Sequence, residues 1–210
     1  MKIAVVAAAG KAGRKIVAEA ASRGIEVTAF VRGAAEIDGA AKVIVKGIFS
    51  LERSDLEDFD AVVDAFGAWT PETLPLHSAT LKHLCDIVSG SDVRLLIVGG
   101  AGSLYTNKEH TAQVMDAPNF PADWKPLAAA QAKALSELRG RNDVKWTFIS
   151  PACDFQAQGT RTGKYLVGGE ELILNAAGES VISYADYAIA MVDEILNGEH
   201  IQQRIGVVEA

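Results

Sequence analysis

The first residues whose types and spacing suggest chemistry are two glycines near the start of the chain. Gly10 and Gly13 come after an apolar run and before an amphipathic stretch, and Ala7 stands where a G-x-x-G-x-x-G pattern has its first glycine. Such glycines let the backbone turn tightly and approach a pyrophosphate, while the following helix offers free N–H groups and the positive end of its dipole. The pattern predicts nucleotide binding, with a merely structural turn as the alternative.

Arg32, at the end of the second predicted strand, indicates which nucleotide would bind. In the NAD pattern an Asp or Glu about 20 residues after the glycines accepts hydrogen bonds from ribose hydroxyls. No acid stands beside Arg32, and a guanidinium suits a 2′-phosphate through paired, charge-assisted hydrogen bonds. We therefore expect NADP rather than NAD, and the alternative is a solvated surface arginine. Lys11 and Arg14 are candidates to add positive charge to the same pocket.

Strand-like and helix-like segments alternate along the chain and must position these residues. Six apolar runs are predicted strands: residues 2–7, 25–31, 43–45, 61–66, 93–98 and 145–149. Helical patterns end at Arg23, cover residues 74–88 and 124–139, and begin again after Ser183, which with Asp186 forms a variant of the capping box. This alternation predicts βαβ units with right-handed crossovers, and hence an α/β fold with a parallel sheet.

Composition and charge limit the class of protein. The 210 residues, 49% apolar and 22% charged, fit one globular domain. The net charge of −7 disfavours nucleic acid and anionic membranes as partners, because both attract concentrated positive charge. Two cysteines without a C-x-x-C pair, and apolar runs far shorter than a membrane span, predict a reduced, cytoplasmic protein. The alternative for the apolar residues after Lys2 is a short signal peptide.

Seven segments together resemble the atypical short-chain dehydrogenases, in particular the NmrA-like or "putative NADH-flavin reductase" branch, which is similar in fold to biliverdin reductase B. They are M-K-I-A-V-V-x-A-x-G-K-A-G, V-T-A-F-V-R, V-V-D-A-F-G, R-L-L-I-V-G-G-A-G-S-L-Y, W-T-F-I-S-P-A, R-T-G-K-Y and S-Y-A-D-Y-A. The resemblance implies a Rossmann-type, doubly wound, mainly parallel sheet. It also implies one NAD(P)-binding domain over residues 1–210, with 151–182 as a small annex on the substrate side.

The resemblance also assigns roles to residues at the carboxyl edge of that sheet. It implies that the adenosine and phosphates are held by Gly10, Lys11, Ala12, Gly13 and Arg32. It places beside the rest of the cofactor Ala65, Phe66 and Gly67, then Gly99, Gly100 and Ser103, and finally Pro151 and Ala152. This chain departs from the family at Ala7 and Ala9, which replace the glycine and threonine of the usual G-A-T-G. Asp64 is also unusual, because a carboxylate inside a buried strand is costly unless it is paired or lies at the rim.

The usual acid–base pair of short-chain dehydrogenases is absent. That pair is a tyrosine with a lysine four residues later, whose charge lowers the tyrosine pKa. None of the four tyrosines is followed by a lysine at that spacing, and Lys133 has Ala129 where the tyrosine would stand. The histidines and cysteines lack metal-ligand spacing, so no metal site is predicted. Cys85 lies on the apolar face of a helix and is predicted to belong to the core.

Hydride transfer to a flavin, a quinone or a similar conjugated acceptor requires no strong acid or base, since the acceptor ring takes up the charge. Aromatic residues in or near loops could line such a site: Phe66, Trp69, Tyr105, Phe120, Trp124 and Phe155. Ser103 is the preferred polar group at the reacting end and Tyr105 the second, although a hydroxyl bonded within its loop is the alternative for Ser103. The long polar segment 100–123 is expected above the strand-five edge, as part of the substrate pocket.

Two functions follow from these residues. The first is an NAD(P)H-dependent oxidoreductase acting on a small conjugated acceptor. The second, which the resemblance allows, is a non-catalytic redox sensor of NmrA type that binds the dinucleotide. Ala7 and Ala9 leave a third interpretation open, a Rossmann-type domain that has lost its cofactor.

Overall fold

The computed structural model describes residues 1–210 and contains ten strands and five α-helices. The strands are β1 (Lys2–Val6), β2 (Glu26–Val31), β3 (Lys42–Val45), β4 (Ala61–Asp64), β5 (Arg94–Val98), β6 (Lys145–Ser150), β7 (Asp154–Gln156), β8 (Tyr165–Gly168), β9 (Val181–Ser183) and β10 (Gln203–Glu209). The helices are α1 (Lys11–Ser22), α2 (Arg53–Leu56), α3 (Leu76–Val88), α4 (Lys125–Leu138) and α5 (Tyr184–Asn197).

Eight strands form one central sheet in the order β3-β2-β1-β4-β5-β6-β10-β8. Neighbouring strands are parallel except β8, which runs antiparallel to β10 at the edge. The order from β3 to β6 is that of doubly wound dinucleotide-binding sheets, in which the direction of winding reverses between β1 and β4. The loops after these two strands therefore diverge and leave a crevice at the carboxyl edge. The predicted α/β, Rossmann-type fold is confirmed.

Helices cover both faces of the sheet. Ile16 of α1 and Met191 of α5 pack in the core on one face, while Leu84 of α3 and Leu135 of α4 pack on the other. Burial of both faces explains the nearly continuous apolar runs of the central strands. The N-terminal run, in particular, is the central strand β1. None of the five helices combines the length and the apolar character that crossing a bilayer requires.

The C-terminal part differs in detail from the sequence prediction. Residues 203–209 form β10, which the apolar pattern missed because Arg204 and Gly206 interrupt it. Part of the predicted annex, 151–182, joins the main sheet, since β8 pairs with β10. The remainder holds β7, which pairs with β9 in a separate two-stranded sheet.

The last helix begins at the predicted cap. The Ser183 hydroxyl accepts a hydrogen bond from the Asp186 N–H at 2.9 Å, and Gly198 ends the helix in the left-handed conformation with φ 67°. The Asp186 carboxylate accepts from the backbone N–H groups of Thr162 and Gly163 instead of returning to the Ser183 backbone. Burial acts to raise the pKa of Asp186, but the hydrogen bonds from the 162–163 loop and Ser183 together outweigh it and hold the pKa below its ordinary value. The acid of the predicted capping box thus ties the 162–163 loop to α5.

Candidate functional site

The turn between β1 and α1 has the backbone that its glycine pattern requires. Ala7 is left-handed, with φ 57°, so this alanine occupies a conformation that glycine adopts without steric cost. The Gly10 N–H donates to the Ala7 carbonyl at 3.1 Å and closes the turn. A Cβ on Gly13 would lie 2.9 Å from both the Cα and the carbonyl oxygen of Ala8. Gly13 therefore lets α1 approach the end of β1, and this close packing is the reason for the last glycine of the pattern.

The first turn of α1 is open to an anion. Gly10 is the N-cap residue, no side chain caps the helix, and no acid stands in its first turn. Two carbonyl oxygens bound the space outside Gly10. A Cβ on this glycine would lie 3.4 Å from the Ala7 carbonyl oxygen and 4.0 Å from the Ala65 carbonyl oxygen. The N–H groups of Lys11, Ala12 and Gly13 have no acceptor within the helix. They are suited to phosphate oxygens, and the helix dipole favours the same negative charge.

Arg14 holds this turn against the loop that follows β2. Its Nε donates to the Ala9 carbonyl at 3.1 Å, and its Nη1 donates to the Glu36 carbonyl at 2.7 Å. The guanidinium that was a candidate for the phosphate pocket is thus engaged by two backbone carbonyls. Its charge remains close to the turn, but its hydrogen bonds fix the shape of the crevice.

Arg32 and Lys11 are the free cations beside the turn. Arg32 follows the last residue of β2, and β2 lies next to β1, where the Ala8 N–H donates to the Phe30 carbonyl at 3.2 Å. Both cationic side chains are exposed, and neither makes a hydrogen bond or an ion pair within the chain. The structure therefore brings Gly10, Lys11, Ala12, Gly13 and Arg32 to one end of the crevice, and their role in holding the adenosine and phosphates stays a prediction.

The loop after β4 lies on the other side of the crevice and is fixed by Asp64. The strand ends at Asp64, two residues earlier than predicted, because its carboxylate accepts the Phe66 N–H at 3.0 Å. The Ala65 N–H still donates to the Val6 carbonyl of β1, at 3.1 Å. The His77 Nε2 contacts the Ala68 carbonyl at 3.1 Å. Residues 65–67 are thus held at the carboxyl edge, beside the glycine turn.

Asp64 is buried, and its hydrogen bonding makes up only in part for the loss of contact with water. It is 4% exposed, and its carboxylate accepts a hydrogen bond from the Phe66 N–H alone. Burial raises the pKa of Asp64 to about 6, although the bond from Phe66 acts in the opposite direction. Asp64, His77 and Gln131 line a cavity of about 20 Å³, which is enough for one water molecule. Of the two sequence interpretations, rim exposure is excluded, and local hydrogen bonding satisfies the carboxylate only in part.

The two glycines that follow β5 lie where neighbouring side chains occupy the space that a Cβ would need. A Cβ on Gly99 would lie 2.2 Å from the Phe148 ring, and one on Gly100 would lie 2.0 Å from the Gln131 Oε1. Pro151 and Ala152 follow β6 and are both buried. The four residues stand at the carboxyl edge where they were expected. The Ser150 hydroxyl, at the end of β6, is buried without a hydrogen-bond partner, and no sequence pattern indicated this.

Ser103 is held inside the protein by Arg204, a residue that no sequence motif indicated. Ser103 is 6% exposed, and its hydroxyl accepts from the Arg204 Nη1 at 3.1 Å, while its carbonyl accepts from the same nitrogen at 2.8 Å. Arg204 also pairs with Glu170. The Ser103 hydroxyl is thus held by a side chain of β10 and not by the backbone of its own loop, which was the alternative. A role beside the cofactor stays a prediction.

Tyr105 is more accessible than Ser103. Its ring stacks on His110 with centroids 4.3 Å apart, and the Arg204 guanidinium lies 5.6 Å from the ring centre. The phenol makes no hydrogen bond within the chain. The Tyr105 backbone forms β-bridges with Gln113 and Glu171, so this part of the 100–123 segment is fastened to the neighbourhood of β8. The proposed catalytic role of Tyr105 stays a prediction.

Of the other predicted aromatic residues, Phe120 is half-buried, and the remaining four separate into two groups. Phe155 is half-buried and packs against Tyr184 and Tyr187, and Phe66 meets His77 edge to face, with centroids 5.6 Å apart. Trp69 and Trp124, by contrast, are both exposed and contact each other. No group of three or more histidine, cysteine or acidic side chains is arranged to hold a metal ion.

The crevice fits a dinucleotide on structural grounds. It offers uncapped helix N–H groups, a glycine-lined backbone and an unpaired guanidinium at one end, and small residues at the other. Cys85, buried against the helices, has a pKa raised to about 12 by desolvation, so it remains a protonated core residue and supplies no nucleophile.

Comparison with known proteins agrees with this geometry. A family model described as NAD(P)H-binding matches residues 7–197. A crystal structure from Streptococcus pneumoniae TIGR4, of "a putative NADH-flavin reductase", is 50% identical with a TM-score of 0.97, over 100% of both chains. The uncharacterized protein YwnB of Bacillus subtilis (strain 168) is 44% identical over 210 residues, which are 99% of this chain and 98% of YwnB. A "putative epimerase" from Bacteroides thetaiotaomicron is 33% identical with a TM-score of 0.85, over 99% and 96% of the two chains.

These similarities extend along almost the whole chain and confirm the resemblance to atypical short-chain dehydrogenases that the sequence motifs indicated. They also fix the chemical class of the cofactor as a nicotinamide dinucleotide, without distinguishing its two forms. The chain belongs to the NAD(P)H-binding family.

Proposed function

We propose that the protein is a reductase that uses NADPH, in preference to NADH, to reduce a flavin, a quinone or a similar conjugated acceptor. The observation that carries the proposal is the uncapped N-terminus of α1 beside the unpaired guanidinium of Arg32. The reductase class is supported by the Streptococcus pneumoniae relative, which is named for NADH and flavin. The preference for NADPH rests on Arg32 alone.

In this proposal the chain binds the cofactor through backbone and charge. The N–H groups of Lys11, Ala12 and Gly13 donate to the pyrophosphate, and Arg32 pairs with the 2′-phosphate. Arg14 keeps the turn and the loop after β2 in register through its bonds to Ala9 and Glu36. These contacts cost little reorganisation, because the backbone already has the required shape.

The reacting end then lies above β4, β5 and β6. A bound reduced nicotinamide supplies a hydride. The protein residues there, 65–67, 99–100 and 151–152, provide a surface of small and apolar groups that brings an acceptor to reacting distance and excludes water. No tyrosine–lysine pair is present. Lys133 lies on the exposed side of α4, where its Nζ is 3.7 Å from the Glu137 Oε1. A conjugated ring fits this lack of a strong acid, because it delocalises the charge until water supplies a proton.

The absorbance of NADPH, followed with purified protein and a panel of flavins and quinones, tests the proposal. We expect saturable oxidation of NADPH with at least one acceptor, weaker in Arg32→Ala and unchanged in Lys42→Ala. Lys42 is an exposed, unpaired cation at the amino end of β3 and thus a matched control. Tight NADPH binding without turnover on any acceptor would instead favour the non-catalytic sensor.

A further inference from the structure

Two of the three tryptophans form an exposed pair. Trp69 and Trp124 are 66% and 54% exposed, whereas Trp146 is 3% exposed in the core. The Trp69 and Trp124 rings meet edge to face, with centroids 6.4 Å apart and planes at 84°. Two large indoles left in water beside each other are unusual, and exposed apolar groups of this kind commonly mark a binding site. We refer to Trp69 and Trp124 together as the tryptophan corner.

The tryptophan corner stands at the carboxyl edge of the sheet. Trp69 belongs to the loop that follows β4, and Trp124 immediately precedes α4, at the end of the long segment that follows β5. Because β4 and β5 are adjacent and parallel, both loops leave the same edge. The Trp69 indole lies over Gly67, since a Cβ on that glycine would be 3.4 Å from the ring. The corner is therefore next to a residue that the resemblance places beside the cofactor.

The loop that carries Trp69 is held in place. Asp64 fixes the Phe66 N–H at its start, and His77 fixes the Ala68 carbonyl next to Trp69. The Trp124 backbone is likewise anchored, because its N–H donates to the Pro121 carbonyl at 3.0 Å. Two flat rings on anchored backbones lose little conformational entropy when a ligand binds, which is the arrangement expected of a preformed aromatic site.

We propose that the tryptophan corner binds the acceptor, and that it selects planar conjugated rings of the isoalloxazine class. One indole provides a face for stacking, while the other, at 84° to it, closes the edge of the ring. Such a site discriminates by flatness and π-surface rather than by hydrogen bonds. This inference rests on the proposed reductase function, since it names the acceptor class for the same site.

The test measures binding without turnover. Riboflavin is titrated into the protein in the presence of NADP⁺, which cannot deliver a hydride. A Trp146→Phe background leaves the corner as the source of tryptophan fluorescence, so quenching reports contact at the corner. Binding in Trp69→Leu and Trp124→Leu is then followed by equilibrium dialysis, since fluorescence is altered in these variants. Phe49→Leu, which changes an aromatic residue that is 56% exposed and lies outside the two loops, is the matched control.

We expect riboflavin to quench the fluorescence, each Leu variant to raise the riboflavin Kd about tenfold, and Phe49→Leu to leave it unchanged. Trp69→Phe, which keeps an aromatic face, should recover most of the affinity. Absence of riboflavin binding to the unaltered protein, or equal Kd values in both Leu variants and the control, would overturn the inference.

The proposed function is tested separately by the melting temperature with NADP⁺. If NADP⁺ raises the melting temperature of all variants and the riboflavin Kd is unchanged in them, the tryptophan corner is not the acceptor site, and the proposed reductase function stands. Riboflavin binding that depends on the two tryptophans, without any effect of NADP⁺ or NADPH on the melting temperature, would support the corner and contradict the cofactor assignment.

Discussion

Gly13, in the first turn of α1, lies against Ala8 so closely that a methyl group on it would be 2.9 Å from the Ala8 Cα. This contact sets the distance between the helix and the end of β1. The same distance places the free N–H groups of α1 at the crevice. The packing of Gly13 therefore determines both the stability of the turn and its fit to a pyrophosphate.

Gly13→Ala is therefore expected to destabilise the protein and to weaken dinucleotide binding. The added methyl meets backbone atoms that cannot rotate away, and overpacking of this kind costs about 1–3 kcal/mol. Urea unfolding measures the loss, and calorimetric titration with NADPH measures the binding. Gly47→Ala is the control, because Gly47 has φ −71° and a Cβ added there would meet no atom within 4 Å. Equal losses in the two variants would show that the Gly13 contact is unimportant.

Ala7 should behave in the opposite way. Its φ of 57° places an L-residue in the left-handed region, where the Cβ approaches the following carbonyl. We expect Ala7→Gly to raise the free energy of unfolding by about 1 kcal/mol. Ala9→Gly, in the same turn but without a positive φ, should instead lower it slightly, because glycine adds freedom to the unfolded chain. A loss of stability in Ala7→Gly would contradict the assigned backbone.

Asp64 should make the protein more stable in mild acid than at neutral pH, as far as this group contributes. Its pKa is about 6 in the folded protein and about 3.8 in the unfolded chain, so the folded state binds the proton more tightly. The contribution is fully present below about pH 4 and is lost as the pH rises through 6. Above that range the free energy of unfolding is therefore lower by about 3 kcal/mol than it is below pH 4, as far as Asp64 contributes.

Asp64→Asn keeps an oxygen acceptor for the Phe66 N–H and cannot ionise. We expect it to unfold at higher urea concentration than the unaltered protein at pH 8, with the difference shrinking towards pH 4. Asp58 is exposed, so Asp58→Asn is the control and should leave the urea concentration of unfolding unchanged at both pH values. A parallel pair of stability–pH curves for Asp64→Asn and the unaltered protein would exclude Asp64 as the group responsible.

The part of the fold that sequence predicted well is the part where local signals agree. From β1 to β2 an apolar run, a glycine turn, an amphipathic helix and Gly24 follow each other, so each boundary fell within a residue or two. β10 was missed because Arg204 stands inside it, and a buried arginine looks like a surface residue until its partners are known. Those partners, Ser103 and Glu170, are distant in sequence.

The candidate site shows the same division. The position at the carboxyl edge of the residues proposed to bind the cofactor was predictable, because they follow parallel strands and parallel strands bring their carboxyl ends together. The contact between Ser103 and Arg204 depends on tertiary packing, and so does the pairing of Trp69 with Trp124, which joins two separate loops. Among the features that depend on tertiary packing, the burial of Asp64 could be noticed from the sequence, since a carboxylate within a buried strand conflicts with its surroundings.

The central claim is that the turn at residues 10–13 and the guanidinium of Arg32 bind a 2′-phosphorylated nicotinamide dinucleotide. Calorimetric titration of the unaltered protein and of Arg32→Ala with NADPH and NADH tests it most directly. We predict one NADPH per chain, bound more tightly than NADH, and a preference that falls about 10- to 100-fold in Arg32→Ala, as expected for loss of charge-assisted hydrogen bonds. Failure of both dinucleotides to bind, or a preference for NADPH that survives in Arg32→Ala, would contradict the account.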